Sequence, residues 1–475
     1  MWIWTAADFV ENKGKDVTRE NTAGQAGTTQ PGAGEGAGRS AAQDPVLGCL
    51  PIEAGHSISR RIRVVNPPLI RASSVVFDTV QDAMEMSGRT DQGELHQSSY
   101  GTAGTETTYA LMDAVAELEG APHKVRAALM PSGLAAISTL MWAFTSPGDE
   151  VLVTDSVYGP ARTFNDTLLK KFGVKTIYFD PQATPDDLEK LVSPRTRMVY
   201  LESPGSYTFD IQDTPAISRW ARERGILTAI DNTYASPQLA RPFDWGVDIS
   251  VLALTKYWSG HADVLMGAVV VREGLWQQLW SAVRQLGMCV GGDDAWLILR
   301  GMRTLNARMP VHEQSALKVA RWLEKQPGVA KVIHPGLESH PGHALFKRDF
   351  LGSNGLFSFE LEPVSQEAVQ ALCNGRRHFQ LGFSWGGYES LIMPAYLRGC
   401  RSVTPWHGEQ LVRIHCGLEP AEALVAQRLH GTGEHGDLHV IPSDQLGEGQ
   451  VVLSEPAATE LGARAGDSVQ VGGHD

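Results

Sequence analysis

Between residues 128 and 271 short apolar, β-prone runs alternate with amphipathic helical stretches, and this alternation restricts the chain more than any other feature. Strands are expected at Glu150–Thr154, Lys175–Phe179, Met198–Glu202, Leu227–Asp231 and Ser250–Leu254, with a further apolar strand at Val264–Val271. Helices near Pro160–Phe172, Pro185–Val192 and Pro215–Arg224 fall between them. A helix between two strands returns the chain to the same edge of the sheet, so such strands run parallel. The expected fold is α/β, with a doubly wound, mostly parallel sheet wrapped by helices. Ligands of such a sheet bind beyond the carboxyl ends of its strands. Tyr158, Ser206, Asp231 and Lys256 all fall there.

Lys256 directly follows the strand Ser250–Leu254. Burial at that place disfavours the ammonium form and leaves a neutral amine able to condense with an aldehyde. A lysine holding pyridoxal phosphate has that requirement. Taken alone, a solvated surface lysine is the plainer reading. Asp231 closes the preceding strand. An aspartate there can pair with the cofactor's pyridine nitrogen and keep it protonated, or simply cap the following turn. Two such residues, each closing a strand of the same α/β stretch, favour the cofactor. Upstream, Ser132, Gly133 and Leu134 open an apolar helix. Backbone N–H groups at a helix start attract an anion, so these three are a candidate phosphate cradle, with a plain N-cap as the alternative. Arg413 lies in the strand Leu411–Cys416, where its planar fork suits a carboxylate or, equally, a structural ion pair.

Five ordered motifs go further: Leu201–Ser206 (Leu-Glu-Ser-Pro-Gly-Ser), Ile230–Tyr234 (Ile-Asp-Asn-Thr-Tyr), Thr255-Lys256-Tyr257, Gly382–Ser390 and Leu411–Glu419. Through them the chain, from about Val64 to about His430, resembles the cysteine/methionine-metabolism enzymes that use pyridoxal phosphate. The resemblance implies an aspartate aminotransferase-like (fold type I) large domain and a smaller C-terminal α/β domain. It implies that Lys256 anchors the cofactor and then takes the Cα proton, that Asp231 meets the pyridine nitrogen and that Tyr158 stacks on the ring. Thr255 joins Ser132, Gly133 and Leu134 at the phosphate, with Tyr100 and Ser206 also at the cofactor site. Ser384, Trp385 and Arg413 would meet the substrate. The activity implied is β-elimination of L-cystathionine, or a related cysteine thioether, to homocysteine, pyruvate and ammonia. The alternatives are a γ-lyase or γ-synthase and a broad cysteine or cystine desulfhydrase. Ala253 and Pro204-Gly205-Ser206 favour the β-eliminating branch. The resemblance also implies a homo-oligomer, a dimer of dimers whose N-terminal arms complete neighbouring sites. Within the arm segment Ser99–Thr105, Thr102 and Ala103 replace two arginines of the relatives. Loosened cofactor and weak selection for a distal substrate carboxylate should follow, unless Arg60, Arg61 or Arg63 restores the charge.

At 475 residues the chain has room for two or three domains. The expected layout is a Gly-rich disordered tail over 1–63, the arm and cofactor-binding domain over 64–305, the small domain over 306–430 and a short β-rich appendage over 431–475. A formal charge of −13 argues against nucleic acid or an anionic membrane as partner. No apolar run reaches the roughly 18 residues of a membrane span. Met1–Trp4 is apolar, yet no basic segment precedes it and Asp8 follows closely, so no signal peptide is expected. Cys49, Cys289, Cys373, Cys400 and Cys416 show neither C-x-x-C nor metal-ligand spacing. Reduced thiols, no metal and a cytoplasmic location are expected.

Overall fold

The computed structural model describes residues 65–397 and 400–426, together with Cys49, Pro51, Ile52 and Ala54. The expected tail before residue 49, the appendage over 431–475 and Arg60, Arg61 and Arg63 lie outside the described residues.

Seven strands build the larger sheet: β1 (Val125–Met130), β2 (Glu150–Thr154), β3 (Lys175–Phe179), β4 (Thr196–Glu202), β5 (Leu227–Asp231), β6 (Ile249–Ala253) and β7 (Gly267–Arg272). Their order is β1-β7-β6-β5-β4-β2-β3. The strands β2 to β6 pair in parallel. Helices cover these strands, so both faces are buried and the strands are apolar almost throughout. β7 runs antiparallel to both β6 and β1. A loop over Leu254–Met266, rather than a helix, joins it to β6, so it returns in the opposite direction. It also starts later than the apolar run suggests, at Gly267 rather than Val264.

Strand order reverses at β2. β3 lies on one side of it, whereas β4, β5 and β6 step away on the other. The loops that follow β2 and β4 therefore diverge and leave a crevice at the carboxyl edge of the sheet.

A second sheet is formed by β8 (Val329–Ile333), β9 (Leu356–Leu361), β10 (Phe379–Leu381), β11 (Ser390–Ala395) and β12 (Leu411–His415), in the order β10-β11-β12-β9-β8. All its pairings are antiparallel except β10 with β11. The helix expected at Ser315–Glu324 begins much earlier, at Leu305, and carries Pro310 inside it. A proline there removes one backbone hydrogen bond. Burial of Leu305, Met309, Ala316, Val319, Ala320 and Leu323 outweighs that loss.

Candidate active site

Lys256 sits in the turn after β6, where the backbone bends sharply: its N–H donates to Ala253 O at 3.1 Å. Its Nζ donates to Ser384 Oγ at 2.8 Å and lies 5.1 Å from the centroid of the Trp385 ring. Burial and the positive charge of Arg413 lower the amine's pKa to about 8, against a smaller opposing effect from Asp231. The sequence reading required a lysine whose charged form is disfavoured, and Lys256 is one.

Three neighbours fix this turn. Arg308, on the helix Leu305–Leu323, donates through Nη2 to Tyr257 O at 2.8 Å and to Gly301 O at 3.0 Å. Tyr257 Oη accepts the Gly355 N–H at 3.0 Å. Gly386 has φ +86°, and a Cβ on it would lie 2.8 Å from Tyr257 N and 2.9 Å from Lys256 C. The Gly382–Ser390 loop thus lies directly against the lysine's backbone, and only glycine allows that approach.

β12 holds the same loop from behind. Arg413 and His415 are two residues apart, hence on one face of the strand. Arg413 Nη2 donates to Phe383 O at 2.6 Å and to Gly382 O and Ser384 O at 3.3 Å each. Its Nε and Nη1 find no acceptor among the described residues. His415 Nε2 accepts the Gly386 N–H at 3.0 Å, which leaves Nδ1 to donate to Glu389 O at 3.1 Å. Burial keeps this imidazole neutral.

Asp231 ends β5. Its Oδ1 accepts the Thr233 N–H at 2.9 Å, and Thr233 Oγ1 accepts the Ala253 N–H at 2.9 Å, which ties the ends of β5 and β6 together. Burial raises the Asp231 pKa, with Thr233 and Lys256 opposing. A half-buried carboxylate with so few donors is short of a proton-bearing partner. Tyr158 follows β2 and is 43% exposed, and partial burial together with the charge on Asp231 raises its pKa.

Ser132 caps the helix Gly133–Phe144 through a 3.0 Å bond from Ala135 N–H to its Oγ. The N–H groups of Gly133 and Leu134 have no acceptor among the described residues. A Cβ on Gly133 would lie 2.7 Å from Ala253 Cβ, and one on Gly267 would lie 2.3 Å from Ser132 O. The turn is therefore seated on β6 and β7 with no room for larger residues. Thr255 is engaged within its own loop, its Oγ1 accepting Met266 N–H at 2.9 Å and donating to Met266 O at 3.2 Å. Ser206 is fixed beside the β2 loop by its N–H to Ser156 O at 2.9 Å.

The residues fit pyridoxal phosphate on three separate counts. They combine an amine kept partly neutral, a half-buried carboxyl with a single backbone donor, and a glycine-narrowed helix start with unsatisfied N–H groups. Tyr100 bridges to Ser74 and remains 51% exposed, on the arm segment that the resemblance assigns to a neighbouring subunit's site. Beside it, Thr102 Oγ1 accepts from Arg284 Nη1 at 3.3 Å, so an arginine from a distant helix stands at the very segment that lacks its own.

Several supporting residues escape a reading of the sequence. Asp155, next to β2, accepts the N–H groups of Ser402, Val403 and Thr404 at 3.1, 2.8 and 2.7 Å. Burial alone would raise its pKa, but these bonds and Arg162 hold it at about 2. Arg401 bonds Thr208 Oγ1 and approaches Asp210 at 3.3 Å, which holds the loop after β4. Glu202 Oε2 accepts Tyr158 N–H at 2.7 Å. Each partner lies far away in the chain, so no local pattern reveals the contact.

Residues 49–429 match the family model described as Cys/Met metabolism PLP-dependent enzyme. Cystathionine β-lyase from Escherichia coli K12 is 39% identical over 383 residues, covering 79% of this chain and 95% of that protein. Cystathionine β-lyase from Bordetella avium is 40% identical over 365 residues, covering 76% and 90%. The crystal structure of cystathionine γ-synthase from Xanthomonas oryzae pv. oryzae in complex with cystathionine superposes with TM-score 0.71 at 34% identity, over 80% of this chain and 96% of that one. With its fold, its lysine turn and its matched length in agreement, the chain belongs to the pyridoxal-phosphate-dependent enzymes of cysteine and methionine metabolism.

Proposed function

We propose that this chain cleaves the Cβ–S bond of L-cystathionine, or of a related cysteine thioether, by β-elimination to homocysteine, pyruvate and ammonia. The observation that carries this reading is the Lys256 amine, at a pKa of about 8, 2.8 Å from Ser384 on a loop that Arg413 grips. Bound cofactor supplies an electron sink conjugated to the substrate's Cα. The residues do the rest. Lys256 would anchor the cofactor, and its free amine would take the substrate's Cα proton. As the Cβ–S electrons leave with sulfur, the released thiolate takes up a proton. The three-carbon enamine left behind hydrolyses to pyruvate and ammonia. Asp231 keeps the pyridine nitrogen protonated and so sustains the sink. Tyr158 covers the ring. Gly133 and Leu134 N–H, with Ser132 and Thr255, hold the phosphate, and Ser206 lies at the edge of the cofactor site. Arg413, anchored by Nη2, has Nε and Nη1 left to receive the α-carboxylate, beside Ser384 and Trp385.

The two sheets support a division at about residue 305 into a cofactor-binding domain and a small domain. A homo-oligomer, a dimer of dimers, is supported by the N-terminal arm, where Val65, Val76 and Val80 are 81%, 92% and 80% exposed in the single chain. Apolar side chains so exposed are covered when a second copy packs on them. Five free cysteines suit the cytoplasm. Product analysis with cystathionine tests the reaction: pyruvate with homocysteine supports β-elimination, whereas 2-oxobutyrate with cysteine overturns it in favour of γ-elimination.

A further inference from the structure

Glu202 and Asp231 are paired positions on the adjacent parallel strands β4 and β5, at the carboxyl edge where the crevice opens. Paired residues on neighbouring strands point to the same face about 5 Å apart. On one face of adjacent strands, the charge of either carboxyl opposes ionisation of the other. Glu202 is 9% exposed, and its Oε2 accepts the backbone N–H of Tyr158 at 2.7 Å across the β2–β4 boundary. No other bond to its carboxyl is made among the described residues.

We propose that Glu202 is a positioning residue of the site, a protonated carboxyl that grips Tyr158 N–H and leaves the pair's single negative charge on Asp231. Burial and the charge of Asp231 both push the Glu202 pKa well above the usual carboxylate range, with Tyr158 N–H and Arg401 opposing. Tyr200, on the same strand, lies close enough to feel both acids, and its hydroxyl has no partner among the described residues. Each acid has one cation acting on it, Arg401 on Glu202 and Lys256 on Asp231, but Glu202 is the more deeply buried and is pushed further up, so Asp231 retains the charge. Because Tyr158 begins the helix Gly159–Phe164, a hold on its N–H sets where that helix starts and where the ring lies. The inference rests on the cofactor roles assigned above to Asp231 and Tyr158.

The test uses purified holoenzyme with Glu202→Gln and Glu202→Ala. Glutamine reproduces a protonated carboxyl, with an oxygen for Tyr158 N–H and no charge. It should leave kcat and the pH midpoint of the cofactor's absorbance unchanged. Alanine removes the acceptor and should lower kcat about tenfold while cofactor stays bound. A midpoint shifted by about one unit or more in Glu202→Gln would mean that Glu202 carries charge, and would overturn the proposal. Unchanged kcat in Glu202→Ala would overturn it too. If the alanine variant does not accumulate, the glutamine titration decides alone. Lys256→Ala serves as the control: an intact absorbance band there would overturn the cofactor assignment itself rather than the role of Glu202.

Discussion

Glu119 closes the helix Glu106–Gly120 beneath the sheet, and its Oε1 accepts from Asn232 Nδ2 at 2.7 Å and Ser250 Oγ at 2.6 Å. It therefore ties the residue after Asp231 to β6, the strand that leads to Lys256. Its Oε2 is buried without a partner among the described residues. Burial raises the carboxyl's pKa from 4.5 to about 7, against the two hydrogen bonds and Arg241. Between those values the folded protein binds more protons than the unfolded chain, so stability falls as pH rises and the loss is complete above the folded pKa. At about 1.4 kcal/mol per unit this amounts to about 3 kcal/mol. Glu119→Gln keeps an oxygen for both donors and cannot ionise. Its amide nitrogen takes the place of the partnerless oxygen and costs the same at every pH. Urea unfolding of both proteins, followed by tryptophan fluorescence, should show the variant gaining about 2–3 kcal/mol on wild type between about pH 5 and about pH 8. A difference that stays constant over that range would show that Glu119 is ionised in the folded protein at ordinary pH, and would refute the reasoning.

Asp231→Asn should still bind cofactor, as its absorbance will show, while kcat falls about 10²-fold or more, because the charge holding the pyridine nitrogen protonated is gone. Arg413→Lys keeps the charge but loses the fork, and should raise KM for cystathionine about tenfold, with a smaller change in kcat. Thr102 offers only a hydroxyl and Ala103 nothing, so wild type should discriminate poorly between cystathionine and S-methylcysteine. Comparison of kcat/KM in wild type and in Thr102→Arg/Ala103→Arg checks this. A wild-type preference of about a thousandfold or more, equivalent to about 4 kcal/mol, would mean that another group, Arg284 first among them, already supplies the charge.

The sheet was legible because its strands are continuous apolar runs, and a strand buried on both faces has to be one. Lys256 and Asp231 stood out because a charge at the end of such a run is costly unless it is used. Pairings between strands were not legible. Nothing local shows that Glu202 lies beside Asp231, or that Asp155 takes three N–H groups from residues 402–404, since both depend on how distant segments meet. The direction of β7 was hidden for the same reason. Pro310 marks a different case, where packing overrides a local rule within the helix Leu305–Leu323. Gly386 was visible as part of a motif, but its purpose became clear only with the lysine's backbone against it.

The central claim, that Lys256 carries the cofactor and the chemistry, is tested most directly by borohydride reduction of the purified holoenzyme followed by peptide mass mapping. The account predicts a pyridoxyl-phosphate mass increment on the peptide containing Lys256, together with loss of activity. The increment on any other lysine, or none at all, would contradict it.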